Sequence, residues 1–306
     1  MYMKHEKWMA QHGFNYKNEE VKEKRFKIFK DNVQHIERFN LEGNHTYKLG
    51  INKFADLTNK EFLAKYAGNS MPSFNVSSSH QSSFAYKNVK DAPLSLDWRD
   101  YNVVTPVQNQ GSCGCCWAFS AVAAIEGIVA IRSGKLVPLS EQHILDCNYN
   151  GEGCMGGRME HAFDFVIQNE GLASDVNYPY SETEGACTNN KPSSLSSKIS
   201  GFNFVPVNDE AALLAAVANQ PISVGVDPEL FQFYHSGVLT GECGTHLTHA
   251  VTLVGYGKSE DGIEFWLLKN SWGAKWGDGG YIKLQRNINA IEGMCGITLY
   301  ATYPIA

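Results

Sequence analysis

Early in the chain, apolar residues recur at three- and four-residue spacing among lysines and glutamates. Phe26, Phe29, Val33 and Ile36 mark one face of a long amphipathic helix over residues 19–40. Such a helix has one stripe to bury. Residues 68–83, GNSMPSFNVSSSHQSS, lose the period and are rich in serine, which predicts an exposed, cleavable linker running on to about residue 91. Asp91-Ala92-Pro93 marks the start of the next domain. From Trp117 to Ile131 the sequence is apolar nearly all round, the texture of a helix buried inside a domain, and Ser133-Gly134 supplies its stop. A second helix is predicted from the cap Ser140, and a third over DEAALLAAVAN, with Asn208 as cap and Gln220-Pro221 as end. The texture then changes to β, with ISVGVD, HAVTLVGYG, EFWLLKNS and GYIKLQR separated by Gly-rich turns. A mainly helical half, about 102–203, followed by a β-rich half, about 204–306, predicts an α+β domain over 92–306 with a cleft between two subdomains.

Charge divides at the same boundary. Residues 1–91 hold 15 Lys+Arg and 10 Asp+Glu, and the remainder 11 and 22, so a basic segment of +5 precedes an acidic one of −11. This suggests that the first docks on the second. No apolar run reaches the roughly 20 residues of a membrane span, and no basic cluster with interleaved aromatics points to nucleic acid. The start, MYMKHEKWMA, lacks the pattern of a signal peptide, so a secreted form would have had its signal removed. All eight cysteines lie after residue 91, the pattern of a disulfide-stapled domain made in an oxidising compartment behind a cysteine-free leader. Sequons at Asn44 and Asn75 agree with passage through the secretory route.

The chemistry concentrates in Gln110-Gly111-Ser112-Cys113-Gly114-Cys115-Cys116-Trp117-Ala118-Phe119-Ser120, a Gly-rich turn that delivers Cys116 to the first position of a buried helix. The helix dipole and free backbone N–H groups there lower a thiol's pKa and make it a nucleophile. His249, leading a predicted strand, and Asn270, in the next, are the candidate partners. His246 reads as a surface histidine, and Trp98 and Trp276 as packing residues. Cys113 and Cys116 also form a C-x-x-C spacing, which keeps a thiol–disulfide oxidoreductase as an alternative, although a βαβ setting is missing.

The blocks GSCGCCWAFS, THAVTLVGYG and KNSWGAKWGDGGY resemble the catalytic blocks of papain-like cysteine proteases, and the likeness, strongest to plant vacuolar and senescence-associated members, extends over essentially the whole chain. It implies a papain-like fold with a helical and a β-barrel-like subdomain, behind a mainly helical inhibitory prosegment over 1–91. Cys116 would be the nucleophile, His249 its acid/base partner, Asn270 the residue that orients the imidazole, and Trp272 its shield. The Gln110 amide and the Cys116 N–H would form the oxyanion hole. Gly156 and Gly157 match the loop that binds substrate backbone, and Met159, Gly225, Leu247, Ala250 and Tyr300 the second-subsite pocket, with Arg158 at the rim or extended into water. The implied disulfides are Cys113–Cys154, Cys147–Cys187 and Cys243–Cys295, which leaves Cys115 and Cys116 unpaired, Cys115 as a small buried hydrophobe.

Prosegment signatures fall on Arg25, Phe29, Asn32, Ile36 and Asn40, then on Gly50, Asn52, Phe54 and Asp56 in LGINKFAD. The chain after them would cross the cleft against the substrate direction. Val21 stands where a glutamate is usual, with Glu20 or Glu23 as substitutes or one salt bridge missing. Thr248 replaces a common Asp beside the histidine, which implies an altered pH profile. The expected activity is that of an endopeptidase zymogen, monomeric and opened by acid, with peptide substrates, its own prosegment and cystatin-type inhibitors as partners. It would need no metal or organic cofactor and work in the vacuole or lysosome, or outside the cell. A protease-like storage or inhibitor protein with a dead site is the non-enzyme alternative.

Overall fold

The computed structural model describes residues 1–68, 84–89, 92–150, 153–188 and 197–306. Among them are helices α1 (Tyr2–His12), α2 (Glu19–Glu42), α3 (Asn59–Tyr66), α4 (Cys116–Ser133), α5 (Glu141–Cys147), α6 (Met159–Gln168) and α7 (Glu210–Val217). The strands are β1 (Tyr47–Leu49), β2 (Leu96–Asp97), β3 (Gly201–Phe204), β4 (Ile222–Val226), β5 (Tyr234–Leu239), β6 (His249–Lys258), β7 (Glu264–Lys269), β8 (Tyr281–Gln285) and β9 (Ala301–Ile305).

The amphipathic reading of residues 19–40 holds. Asn18 opens α2 by accepting the Val21 N–H at 2.9 Å, and Gly43, at φ 77°, closes it. Its buried face is Phe29, Val33 and Ile36. Arg25, from the same helix, forks onto Glu61 at 2.8 and 3.1 Å, so the partner that Val21 cannot supply comes from α3 rather than from Glu20 or Glu23. Asn32 donates to the carbonyls of Ala55 and Leu57, Asn40 to that of Leu49, and Asn52 to that of Gln232, which ties the LGINKFAD stretch between α2 and the β-rich half.

The sheet runs β1-β5-β8-β7-β6-β4-β9-β3, with β2 also on β6; every pair is antiparallel except β5 with β8. Its first strand therefore belongs to the basic leader. Phe54 and Phe62 of the leader are fully buried in the same core as Leu253, Trp266 and Trp276. No ion pair joins the leader to the acidic domain among the described residues. Docking rests on apolar burial and strand pairing rather than on paired charges.

In the expected linker 68–91, the described ends sit against the domain. Gly68 reaches the cleft, and Phe84 is buried while the Ala85 N–H donates to the Tyr303 hydroxyl. Asn75, Asp91 and most of this segment lie outside the described residues. Asn44 is exposed just beyond α2.

Helix α4 is buried on almost every side and ends at Gly134, as its all-round apolar texture predicts. Ser140 caps α5 by accepting from His143 N. The cap of α7 differs from the expectation: Asp209 accepts the Ala212 N–H at 2.8 Å, while Asn208 sits at φ 59° in the turn before it. An asparagine tolerates that left-handed geometry, which frees the next residue to cap. Bonds link Cys113 to Cys154, Cys147 to Cys187 and Cys243 to Cys295, leaving Cys115 and Cys116 as buried free thiols. With Cys113 bonded to Cys154, the C-x-x-C pair is not a dithiol.

Candidate active site

The loop 110–115 leads directly into the helix that carries the Cys116 thiol. Gly114 donates its N–H to the Cys154 carbonyl at 2.8 Å, and a Cβ on Gly114 would stand 2.6 Å from that oxygen, so only glycine fits beside the Cys113–Cys154 bond. Cys115 is the N-cap of α4 and Cys116 its first residue. From the facing wall, β6 begins with His249, and Ala250 offers its N–H to the Cys116 sulfur.

His249 Nε2 lies 2.8 Å from Asn270 Oδ1, one residue past the end of β7. That carbonyl oxygen also accepts the Ser271 N–H at 2.8 Å, so it is an acceptor and Nε2 carries the proton. Nδ1 is then the basic nitrogen, buried and without a partner among the described residues. Trp272 stacks on the imidazole, centroids 4.5 Å apart, and leader residues Phe54 and Phe62 meet the indole edge-on at 5.7 and 5.1 Å.

Gln110 is held at four points. Its N–H donates to Ser271 O at 2.8 Å, Ser271 Oγ donates to its Oε1 at 2.6 Å, its Nε2 donates to Cys113 O at 2.9 Å, and its carbonyl accepts from Tyr180. The amide retains a second hydrogen for a ligand.

The leader closes this cleft. Gly68 N donates to Thr248 O at 2.5 Å, and a Cβ at Gly68 would stand 3.7 Å from Cys116 Sγ. Burial pushes the Cys116 thiol up to about 11 against the pull of the Ala250, Trp117 and Gly68 N–H groups, and brings His249 down to about 4. The depressed thiol pKa expected from the helix start is not found in this covered state, where desolvation outweighs the N–H groups around the sulfur.

Met159, Leu247, Ala250 and Tyr300 pack together in one apolar cluster, and Gly225 donates its N–H to Tyr300 O at 2.8 Å. Gly156, at φ 131°, and Gly157 precede them; a Cβ on Gly157 would stand 2.4 Å from the Trp117 ring. Arg158 neither extends freely into water nor turns a bare charge inward: its Nε lies 2.6 Å from Glu160, whose carboxylate also accepts from the Tyr300 hydroxyl. Exposed His246 stays out of the site, its N–H on Asp227, while Trp98 and Trp276 are core residues. Glu160, Ser271, Tyr180 and Gly68 are the residues that sequence reasoning missed. Ser271 lies inside a quoted block and Glu160 next to a pocket residue, whereas Gly68 and Tyr180 carry no local signal.

Residues 92–305 match the family model of papain family cysteine proteases, and residues 5–62 that of the cathepsin propeptide inhibitor domain. The senescence-specific cysteine protease SAG12 of Arabidopsis thaliana is 48% identical over 311 residues, covering 99% of this chain and 90% of that protein. The senescence-specific cysteine protease SAG39 of Oryza sativa subsp. indica is 50% identical over 313 residues, covering 100% and 91%. Among solved structures, a recombinant stem bromelain precursor superposes with a TM-score of 0.89 at 46% identity over 99% of this chain and 98% of its own. The proform of the ragweed pollen allergen Amb a 11, a cysteine protease, does so with 0.89 at 44% identity over 98% and 92%. The whole-chain architecture thus recurs in a bromelain precursor and in the proform of another cysteine protease, and this chain belongs to the papain family of cysteine proteases, with a propeptide inhibitor domain ahead of the protease domain.

Proposed function

We propose that this chain is the zymogen of a cysteine endopeptidase in which Cys116 attacks the peptide carbonyl, and that residues 1–91 inhibit it until acid-triggered removal. The observation that carries the reading is the seat of Gly68 between Cys116 Sγ and Thr248 O, where a substrate would have to lie. Once the leader leaves, water and substrate reach the thiol and imidazole, desolvation relaxes, and the proton passes from Cys116 to Nδ1 of His249. The thiolate adds to the carbonyl carbon while the Cys116 N–H and the second Gln110 amide hydrogen stabilise the oxyanion. The imidazolium gives its proton to the leaving amine, and water, deprotonated by the same nitrogen, hydrolyses the thioester. Asn270 and Trp272 hold the ring in the tautomer that this cycle needs.

The pocket of Met159, Gly225, Leu247, Ala250 and Tyr300 favours an apolar side chain one residue before the scissile one, since burying a leucine contributes about 1.5–3 kcal/mol. Three disulfides and the exposed Asn44 sequon support a secretory route to a vacuole, a lysosome or the cell exterior. The enzyme would act as a monomer, without cofactor, open to cystatin-type inhibitors.

The test is acid incubation of the full chain with mass measurement and a peptide assay. The wild type shortens to a product beginning near Ala92 and gains activity, while Cys116→Ala yields no hydrolysis even after the leader is cut by an added protease. Hydrolysis by that variant, or full activity of the unshortened chain at pH 7, refutes the proposal.

A further inference from the structure

Two residues outside the catalytic set connect its two oxyanion donors. Cys115 precedes Cys116, whose N–H is one donor; Gln110, whose amide is the other, lies across the loop. Cys115 Sγ is 3.0 Å from the Tyr180 hydroxyl, which donates to the Gln110 carbonyl at 2.8 Å. A phenol has one hydrogen, and a backbone carbonyl can only accept, so the Tyr180 proton is committed to Gln110. The thiol of Cys115 must then donate to the Tyr180 oxygen. Cys115 is fully buried, and burial pushes its thiol up, which keeps that hydrogen in place at neutral pH. The Tyr180 ring is pinned edge-on against Phe119 of α4, centroids 4.9 Å apart.

We infer that Cys115 and Tyr180 are positioning residues: the chain Cys115 Sγ–H to Tyr180 Oη–H to Gln110 O fixes the gap between the Cys116 N–H and the Gln110 amide, and so the aim of both at the oxyanion. This rests on Cys116 and Gln110 acting as proposed above. Neither residue touches the substrate. Their loss is felt in the transition state, where the donors must converge, and not in substrate binding or in the reactivity of the thiol.

The full chain is expressed, processed in acid and compared with Tyr180→Phe, Cys115→Ala and Cys115→Ser. Two rates are read: kcat and KM on a peptide amide, and alkylation of Cys116 by iodoacetamide, which forms no oxyanion. Tyr180→Phe and Cys115→Ala are expected to lower kcat about tenfold, less than the loss of a whole donor, with KM and alkylation within about twofold of wild type. Cys115→Ser, which keeps a donor, restores kcat to within about twofold. Should Cys115→Ala fail to fold, Tyr180→Phe against Cys115→Ser still decides. Unchanged kcat in Tyr180→Phe overturns the inference, as does an equal fall in kcat and alkylation, or a serine variant as slow as the tyrosine variant. An inactive Cys116→Ala with these outcomes would leave the proposed function standing and remove only the brace.

Discussion

Glu160 decides what Arg158 does to the neighbouring pocket. A guanidinium at the rim of an apolar pocket would draw acidic side chains, but its charge is matched by a carboxylate 2.6 Å away that Tyr300 also holds. The native enzyme should therefore prefer leucine or valine at that substrate position over aspartate or glutamate. In Glu160→Gln the arginine keeps its charge and loses its counter-ion, so kcat/KM for a glutamate at that position should rise about tenfold relative to leucine, an effect reduced by salt and absent from Arg158→Leu/Glu160→Gln. A library varied at this one position reads the ratio; no change would mean that Arg158 leaves for solvent. The candidate set Cys116, His249, Asn270 and Gln110 could be named from the sequence because each sits in a block that resembles the catalytic blocks of the family. Glu160 was not, since its meaning lies in a hydroxyl 140 positions away, and Tyr180 acquires its role only by reaching back 70 positions to Gln110.

Between elements, the junction of α4 with β7 hides a charge cluster that no local pattern announces. Lys269, the last residue of β7, donates to Thr105 at 2.8 Å; Thr105 donates to Glu126 of α4 at 2.7 Å, and Glu126 also accepts the Leu139 N–H. Burial raises the pKa of Glu126 and of Glu141 on α5, while the ammonium pulls both back down. Lys269→Met removes the cation that these carboxylates face, which typically costs about 3–5 kcal/mol. Because Glu126 can then take up a proton, the loss in urea unfolding should be larger at pH 7.5 than at pH 5. An equal loss at both would show that the carboxylates are already neutral. The elements themselves were largely readable: α2 and α4 from periodicity and its absence, β6 and β7 from their runs. Helices α1, α3 and α6 and strand β1 went unread, the strand because a three-residue strand is defined by its partner β5, not by its own residues.

For the whole molecule, the proposed acid response would not come from the Cys116–His249 pair alone. On the proposed mechanism, opening the cleft would move a proton from Cys116 to His249 without taking one from solvent, so that step would be indifferent to pH between their pKa values. The acidic domain surface is also a weak trigger, since no ion pair crosses the docking face among the described residues. Within the leader the signs differ. Asp56 is raised by burial, so its contribution grows as pH falls. Glu61, held at about 2 chiefly by Arg25, loses its contribution only below about 4.5. His5 is fully buried among Trp8, Tyr16, Phe26 and Phe29, both ring nitrogens unpartnered among the described residues. Burial lowers its pKa, although Glu6, Asp56 and Glu23 favour the charged ring and Lys22 opposes it. Its support of the fold is complete above about 6.5 and is lost as pH falls below that. His12, partly exposed, has the same sign. His5→Phe should therefore move the midpoint of acid processing to lower pH, measured by mass against time from pH 6.5 to 4; an unmoved midpoint would place the trigger elsewhere.

Strand β1 carries a last consequence. It covers the outer side of β5 through Tyr47, Lys48 and Leu49, so a mature enzyme without residues 1–91 would present β5 as a bare row of amide hydrogens and carbonyls beside Phe233. Open edges of this kind recruit other extended chains. The leader would thus serve as a selvedge, finishing the fabric while the polypeptide is newly made and crowded, and activation would release a molecule more prone to self-association than its precursor.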